Sequence, residues 1–372
     1  MSMIRIVPPC VLVLLVLVES GFSADQPKAK PETPTTKTGA AESPASVAAK
    51  APPLPALEIV GEKSSDEMTA YRLHIRQLYN ESRFAELEAA AEKARANKAR
   101  FGNGSWEIYQ FYQALECPRK ESESVWQFHD SIHKKWIEAM PESITARVVH
   151  AEYFVDYGWH ARGSGYANTV KEEDWRLLKE RLAEAQKVLS EAKKLKSKCV
   201  MWWSVQMTVA LGADWERAEY EKLFAEAKAF EPEFWNFDTK RAYYLLPRWH
   251  GEPGDWEAAA EKDVERAGLG LEAYARVVMA QRSFYTSIFQ ETKASWPKTR
   301  DGMEILRRKY PESLGILNDY VQLACLAGDR PVARKLFEEI GGHFYSKGWS
   351  SQDAFFRFRN WAYEDAPPAA PK

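Results

Sequence analysis

A glycine-rich segment at residues 158–167, GWHARGSGYA, combines the residue types of an anion-binding loop. Gly163 and Gly165 would leave backbone N–H groups open to an anion, and Arg162 would clamp its charge. Such loops follow a buried strand, whereas this segment follows an amphipathic helical pattern and lacks a GK[ST] or complete GxGxxG motif. The sequence therefore favours an expanded turn between helices. The functional alternative is that this turn recognises a peptide or a glycan. Its candidate binding residues are Trp159, His160, Arg162 and Tyr166.

A second turn, YYLLPRWHGEPGDW at residues 243–256, carries the same residue types beside a glycine. Its candidate binding residues are Arg248, Trp249 and His250. Aromatic faces and guanidinium groups suit sugars, peptides and carboxylates, and turns of one class gather along one edge of a stacked-hairpin array. The sequence favours a structural role, in which Trp249 covers the core and Pro247 ends a helix. The functional alternative is that the two turns line a shared groove.

Two histidines at helical spacing, His129 and His133 in FHDSIHKKW, are the strongest metal-binding candidates. They could share a helix face and a metal with Asp130. The segment lacks the glutamate of an HExxH motif, and lysines follow it, so we predict a solvated helix face. No metal or cofactor is expected. Because no GxSxG or other nucleophile motif occurs, we predict a non-catalytic protein, although a carboxylate pair brought together by the fold would not be visible in the sequence.

Tryptophan is unusually frequent, with 14 in 372 residues, and most stand at the ends of predicted hairpins. Indoles there would wedge between neighbouring hairpins. Trp202 and Trp203 are adjacent, and neighbours on a helix point about 100° apart, so both cannot face one core stripe. One of them is expected to be exposed or to contact the neighbouring hairpin, and Trp203 is a further binding candidate.

Helix-length apolar periodicity fills residues 64–364, without a convincing strand pattern. In residues 311–341, one apolar stripe precedes the break AGD and a second stripe ends at Gly341. The stripes are Leu314, Leu317, Val321 and Ala324, then Ala333, Leu336, Phe337 and Ile340. Two helices joined by a tight turn satisfy this pattern.

The same pattern recurs along the chain. PES at Pro141, PEF at Pro232 and PES at Pro311 each open a helix, with proline expected in the first turn. Their spacing fits two helical hairpins each time. The sequence predicts an all-α fold, a right-handed superhelical stack of about seven helical hairpins over residues 64–364.

Two of these units resemble tetratricopeptide-type repeats. Phe224, Ala227 and Pro232 in residues 199–232, and Leu317, Ala333 and Phe337 in residues 311–341, stand at that family's spacing. This resemblance implies stacked, tetratricopeptide-like helical hairpins. The order of FYQAL, WERAEYEKLFAEAKAFEP and AYYLLPRWHGEPGDW, over about residues 80–270, is also similar to a family of uncharacterised exported bacterial proteins defined only as a domain of unknown function. That second resemblance implies fold and bacterial origin, without an activity.

The first 24 residues have the pattern of a signal peptide. Arg5 precedes an apolar run at residues 11–18, and small residues follow up to Ala24. Eight apolar residues would cover about 12 Å as a helix, against roughly 30 Å of bilayer core, so a cleaved signal is expected and an uncleaved anchor is the alternative. Residues 25–63 are rich in Pro and Ala and predict a disordered tether, and residues 365–372 a disordered tail.

Charge and cysteine usage restrict the partners and the chemistry. A formal net charge of −2 offers no global field for nucleic acid. Removal of the signal peptide would leave three cysteines, Cys117, Cys199 and Cys325, which allow at most one disulfide and stand in helical apolar patterns. We expect them to be buried as small apolar residues.

The leading functional hypothesis is an exported scaffold, periplasmic or secreted, without catalytic activity. It would bind a peptide, protein or glycan of the cell envelope in a groove on the concave face of the repeat array, and no stable transmembrane span is expected. One alternative is a cell-envelope enzyme that acts on carbohydrate or peptide, with its site at the 158–167 loop and the Arg248 to His250 turn. The other is a structural component of an envelope complex.

Overall fold

The computed structural model describes residues 56–118, 121–163, 165, 169–266 and 268–364. These residues form sixteen α-helices and one short two-stranded sheet, so the predicted all-α, helical repeat-like fold is confirmed. The predicted signal peptide, most of the predicted tether and the C-terminal tail lie outside the described residues. Among the helices that the structure describes, none is both long and apolar enough to cross a bilayer.

The helices are numbered in chain order. The first eight are α1 (Lys63–Asn80), α2 (Phe84–Asn97), α3 (Glu107–Gln113), α4 (Glu123–Ala139), α5 (Ile144–Arg162), α6 (Glu172–Lys194), α7 (Val200–Gly212) and α8 (Arg217–Phe230). The second eight are α9 (Asn236–Tyr244), α10 (Asp255–Asp263), α11 (Leu271–Gln281), α12 (Ile288–Glu291), α13 (Trp296–Lys309), α14 (Leu314–Leu326), α15 (Arg330–Ile340) and α16 (Gln352–Tyr363). The strands are β1 (Glu58–Ile59) and β2 (His343–Phe344).

The first helix of a hairpin lies inside and the second covers it. Eleven of the thirteen residues of α7 and eight of the nine residues of α9 are buried, against five of the twenty-three residues of α6. The α7 sequence VMWWSVQMTVALG carries no charge, and a helix that is apolar all round is buried on every side. α5 packs on α7, α7 on α9 and α9 on α11, which makes a continuous inner row. Side chains available to a ligand therefore lie mainly at the hairpin ends.

The hairpin predicted at residues 311–341 is confirmed. Its helices are α14 and α15, and the side chains of Ser313 and Asp329 cap their N-termini by accepting from the backbone N–H groups of Ile316 and Val332. Gly341 ends α15 with a φ of +58°, a conformation that favours glycine. The two apolar stripes are buried, except that Leu314 is half-buried.

The prolines of the PES and PEF motifs do not lie in the first helical turn, contrary to the prediction. Pro141, Pro232 and Pro311 lie in the turns that precede α5, α9 and α14. In both PES motifs the serine is the N-cap, because its hydroxyl accepts from a free N–H of the first turn. The helix therefore begins one residue after the serine.

The two ends of the described chain are joined. β1 pairs in parallel with β2, with Glu58 opposite His343 and Ile59 opposite Phe344. The buried Glu62 carboxylate accepts from the Ser313 hydroxyl at 3.2 Å and from the Gly315 N–H at 3.0 Å. Residues 58–62 are thus attached to the C-terminal hairpins, although they fall within the predicted tether of residues 25–63.

The three cysteines in the described residues are buried free thiols, as expected for small apolar residues. Burial raises the pKa of the Cys117 and Cys325 thiols to about 12, and it also raises the pKa of Cys199. A thiolate is the reactive form of cysteine, so these side chains are poor nucleophiles at neutral pH.

Candidate functional site

The predicted 158–167 turn begins later than expected, because α5 runs through Arg162. Gly158 is helical and lies against α6, where an added Cβ would be 3.1 Å from Leu178 Cδ1. The break comes at Gly163, whose φ is +69°. Trp159, His160 and Arg162 therefore project from the last turn of a helix, and their directions are set by helical geometry. Ser164 and Tyr166 lie outside the described residues.

Arg162 is buried, with 4% of its surface exposed. Its guanidinium donates to the carbonyl oxygens of Gly163 and Gly165 at 3.2 and 2.8 Å. It also lies over the indole rings of Trp159 and Trp175, 5.8 and 5.0 Å from their centroids. These contacts hold the turn together, and they make Arg162 a structural residue of the turn rather than an exposed anion clamp.

The two predicted turns meet at one surface, which we call the Trp159–Trp249 edge. The indole rings pack edge to face, with centroids 5.7 Å apart and an interplanar angle of 88°. Gly212 at the end of α7 makes room for this contact, since a Cβ there would lie 3.1 Å from Trp159 Cζ2. Ninety residues of chain separate the two indoles, and the inner row of helices brings them together.

The exposed part of this edge comes from the 245–251 turn. Trp159 is buried and Trp249 is half-buried, whereas Arg248 is exposed. The Arg248 guanidinium lies over the half-buried ring of Phe284, 4.8 Å from its centroid. The turn is tight, because an added Cβ on Gly251 would lie 1.9 Å from the Leu245 carbonyl oxygen. Together these residues present a guanidinium group next to aromatic faces.

The two histidines of the predicted turns have different surroundings. His160 is half-buried and packs on Trp126, with ring centroids 5.2 Å apart. His250 stacks on Tyr244 at 4.3 Å and places Nε2 3.3 Å from the Leu211 carbonyl oxygen. The carboxylate nearest to His250 Nδ1 is that of Asp214 at 3.6 Å, and this side chain is 92% exposed. His250 is therefore beside an open, solvated carboxylate rather than an enclosed one.

The adjacent tryptophans separate as predicted. Trp202 is buried, contacts the preceding hairpin and donates from Nε1 to the Leu189 carbonyl oxygen at 2.9 Å. Trp203 is half-buried and stacks on Phe230 of α8 with ring centroids 4.3 Å apart. Phe230 is 43% exposed, so the pair forms a small aromatic surface at the other end of this hairpin.

The prediction that His129 and His133 lie on a solvated face is wrong. His129 is 6% exposed and His133 is fully buried. α4 turns this face toward α1 and α5, where the hydroxyl of Tyr79 contacts both rings. The lysines that follow lie on the opposite, exposed face of the same helix. Within the described part of the chain, no group of three or more His, Cys, Asp or Glu side chains is arranged to hold a metal.

An interior polar group escaped the sequence analysis. Glu152 and Asp156, one turn apart on α5, interact electrostatically with each other and with Lys240 of α9. The Lys240 ammonium donates to the Thr208 hydroxyl at 2.7 Å. Burial raises the pKa of Glu152 and lowers the pKa of Lys240, because each loses water as a charged group. The signal in the sequence is the presence of acidic residues within the otherwise apolar helix ITARVVHAEYFVDYGWHAR.

A small cavity of about 10 Å³ lies between α9, α10 and α11, and it has room for about one water molecule. Asp238, Arg241 and Asp263 contribute its polar lining. Asp238 forms a buried ion pair with Lys228 at 2.8 Å, and Arg241 pairs with Asp263 at 2.6 Å. These ion pairs connect three helices, and we assign the cavity a structural role.

Residues 71–213 match the model of a family described as "Domain of unknown function (DUF4034)". The match covers less than half of the chain and runs from α1 to the end of α7. It includes Trp159, the buried histidines and the two interior carboxylates of α5, but not the 243–256 turn. Neither the curated proteins nor the solved structures contain a significant match to this chain. The family description assigns no activity.

Proposed function

We propose that this protein is a non-catalytic scaffold with tetratricopeptide-like helical hairpins, and that it binds a peptide, protein or glycan at the Trp159–Trp249 edge. The observation that carries the proposal is the contact between the two indoles, 5.7 Å apart. It supports a shared edge at which the buried Trp159 of one turn packs behind the half-buried Trp249 of the other, as stacked repeats bring their turns together.

The chemistry of the edge favours a ligand with two features. Trp249 and Phe284 offer half-buried aromatic faces, which suit an apolar side chain or the face of a sugar ring. Arg248 is exposed and its guanidinium lies 4.8 Å from the ring centroid of Phe284, so a carboxylate can approach it from solvent beside an aromatic face. An acidic peptide with an aromatic or aliphatic residue next to the acid has both features.

A random peptide library displayed on phage tests this proposal directly. The library is panned against the wild-type protein, and enriched peptides are then measured against Arg248→Glu. We expect an acidic-apolar consensus whose binding falls at least tenfold in the variant, because the charge that faces the carboxylate is reversed. A glycan array probes the sugar alternative with the same two proteins.

The matched control is Arg300→Glu, since Arg300 is an exposed arginine on α13 that pairs with Asp301. Circular dichroism checks that both variants keep the helical content of the wild type. Absence of any consensus peptide and of any glycan signal would contradict the proposal. Equal binding to wild type and Arg248→Glu would place recognition elsewhere on the molecule.

The second candidate function is hydrolysis of a glycan or peptide. It is favoured by Glu152, with Asp156 and Lys240 beside it, since a raised pKa lets the Glu152 carboxyl keep its proton near neutral pH and act as a general acid. This interior group supports catalysis better than His250, whose neighbouring carboxylate is open to solvent.

Release of reducing ends from glycan polymers, and of amines from peptide mixtures, tests this candidate. Glu152→Gln is expected to lower the rate at least 100-fold, within the usual range for loss of a general acid. Glu142→Gln, at an exposed position just before α5, is the control and is expected to keep full activity. No hydrolysis by the wild type, or unchanged hydrolysis by Glu152→Gln, would eliminate this function.

We propose export as the cellular context, on the apolar run at residues 11–18 and the small residues that follow it. N-terminal sequencing of the protein recovered from a bacterial expression host tests whether the signal is cleaved. A mature N-terminus near Ala24 is expected, and an intact Met1 in the cytoplasmic fraction would contradict it.

A further inference from the structure

Two buried histidines of α4 contact one tyrosine of α1. The Tyr79 hydroxyl oxygen lies 3.1 Å from His129 Nδ1 and 3.2 Å from His133 Nε2. A third buried histidine, His150 of α5, lies beside them, with its ring centroid 5.5 Å from that of His133. We call Tyr79, His129 and His133 the tyrosine–histidine junction. It joins α1 to α4, and α1 also packs on α2 and α3.

The hydrogen bonds of the junction fit neutral imidazole rings. A neutral ring has one N–H donor and one acceptor nitrogen, whereas an imidazolium has two donors. His133 uses Nε2 toward Tyr79, and its Nδ1 is buried with no hydrogen-bond partner among the described residues. Protonation of His133 would therefore leave a charged N–H inside the protein without an acceptor, which carries the full desolvation cost.

The charges around the junction oppose protonation as well. α1 contributes Arg76, whose guanidinium is directed to the backbone oxygen of Glu116 and stands near both rings of the junction. On α4, the Asp130 carboxylate is already paired with Lys134 at 2.6 Å and with His150 Nε2 at 2.8 Å. The remaining titratable groups that face the junction are Tyr153 of α5 and Cys117 after α3. Among the described groups that face the junction, the Asp130 carboxylate favours a charge on His133, but its oxygens are already paired with Lys134 and His150.

Burial and the neighbouring positive groups act in the same direction on the histidines. Burial lowers the pKa of His129 from its ordinary value to about 4, and it holds the pKa of His133 well below the ordinary range. In a state where α1 has separated, the ring nitrogens that contact Tyr79 face water, so the pKa of each ring moves back toward its ordinary value of about 6.5. Above that pH the closed and open states bind the same number of protons. Between about 6.5 and 4 the open state binds more, so the closed state loses stability as the pH falls.

We propose that the tyrosine–histidine junction is an acid-sensitive joint, at which uptake of protons by His129 and His133 releases α1 from α4. The released element is α1 together with α2, which packs against it. The joint is independent of the binding edge and of the interior carboxylates, so it stands whether or not either proposed function is correct.

Hydrogen–deuterium exchange of the full-length protein tests the joint. Exchange of the peptide that covers α1 is followed from pH 7.5 to 5 and corrected for the intrinsic pH dependence of amide exchange. We expect the opening constant of α1 to rise by about thirtyfold at pH 5 from His129 alone. With His133 as well, whose ring also packs on α5, the logarithm of the opening constant is expected to change by between one and two per pH unit below pH 6.

His133→Phe is the diagnostic variant, because it removes one titrating ring and keeps an aromatic side chain in the buried position. In this variant the logarithm of the opening constant of α1 is expected to change by about one per pH unit, which corresponds to one proton. His74→Phe is the control on the exposed face of α1, and its slope is expected to equal that of the wild type. The proposal would be overturned if the opening constant of α1 had the same pH dependence in His133→Phe as in the wild type. It would also be overturned if α13 lost protection from exchange together with α1 as the pH falls.

A measurement on the wild type decides the question if His133→Phe does not fold. The ring protons of the seven histidines are titrated by NMR from pH 7.5 to 5. At least two rings are expected to stay neutral in the closed protein across this range. Seven rings that all titrate near their ordinary value would overturn the proposal.

Discussion

Replacement of Glu62 by alanine is expected to weaken the attachment of the N-terminal segment to the C-terminal hairpins. Glu62 is 4% exposed, and its carboxylate accepts from the hydroxyls of Ser64 and Ser313 and from the backbone N–H of Gly315. Gly315 lies in the first turn of α14, where N–H groups have no partner inside the helix. Glu62 thus supplies to α14 both a hydrogen-bond acceptor and a negative charge at the positive end of the helix dipole.

The size of the effect follows from the groups left behind. The Gly315 N–H is buried and would lose its acceptor, which costs about 1–3 kcal/mol. Loss of the negative charge at the N-terminus of α14 adds about 0.3–1 kcal/mol. The two serine hydroxyls can rotate to other acceptors, so we count their contribution to the loss of stability as small. Glu62→Ala is therefore expected to lower the free energy of unfolding by about 1–4 kcal/mol, and Glu62→Gln, which keeps one acceptor oxygen, by about 1 kcal/mol.

Urea denaturation measures the change in stability, and hydrogen exchange at the first turn of α14 locates it. The matched control is Glu58→Ala, because the Glu58 carboxylate is 74% exposed and its nearest cation, His343, is 3.8 Å away. The control is expected to change stability by less than about 0.5 kcal/mol. If Glu62→Ala were as stable as Glu58→Ala, the assignment of Glu62 as the capping group of α14 would be refuted.

Two further predictions concern packing and buried charge. Gly302→Ala places a Cβ 2.1 Å from the Leu271 carbonyl oxygen and must push α13 away from α11, so we expect a loss of about 1–3 kcal/mol, measured as a lower melting temperature. Lys228→Met leaves the buried Asp238 carboxylate without its cation and is expected to cost about 3–5 kcal/mol at pH 7. Burial raises the pKa of Asp238, and loss of the lysine raises it further. The stability that Lys228→Met loses relative to the wild type should therefore decrease as the pH falls, because the carboxyl takes up a proton. A loss of stability in Lys228→Met that does not change with pH would contradict the argument about buried charge. A Gly302→Ala protein as stable as the wild type would contradict the argument about packing.

The helices themselves were largely predictable because their signals are local. The apolar stripes of α14 and α15, the break between them and the glycine that ends α15 all lie within thirty residues, and each was located correctly. Local signals also misled where two of them competed. Proline was placed in the first turn, although the serine two residues later caps the helix.

The candidate site was predictable only in part. The turns at residues 158–167 and 243–256 share residue types, which suggested a shared groove. Trp159 and Trp249 are in contact, but Trp159 and Arg162 are buried, so the exposed side chains come from the second turn. Burial of Arg162 was not foreseen, because a guanidinium can cap its own turn only when the path of the backbone after Gly163 is known.

Sequence alone determined the class of the fold and the positions of most helices, since apolar spacing, capping residues and glycine act over a few residues. Tertiary structure decided which faces became interior. His133 meets Tyr79 from 54 positions away, and Glu62 caps a helix whose N–H donor lies 253 positions further along the chain. Contacts at such separations depend on how whole helices pack, and packing is a property of all their side chains together.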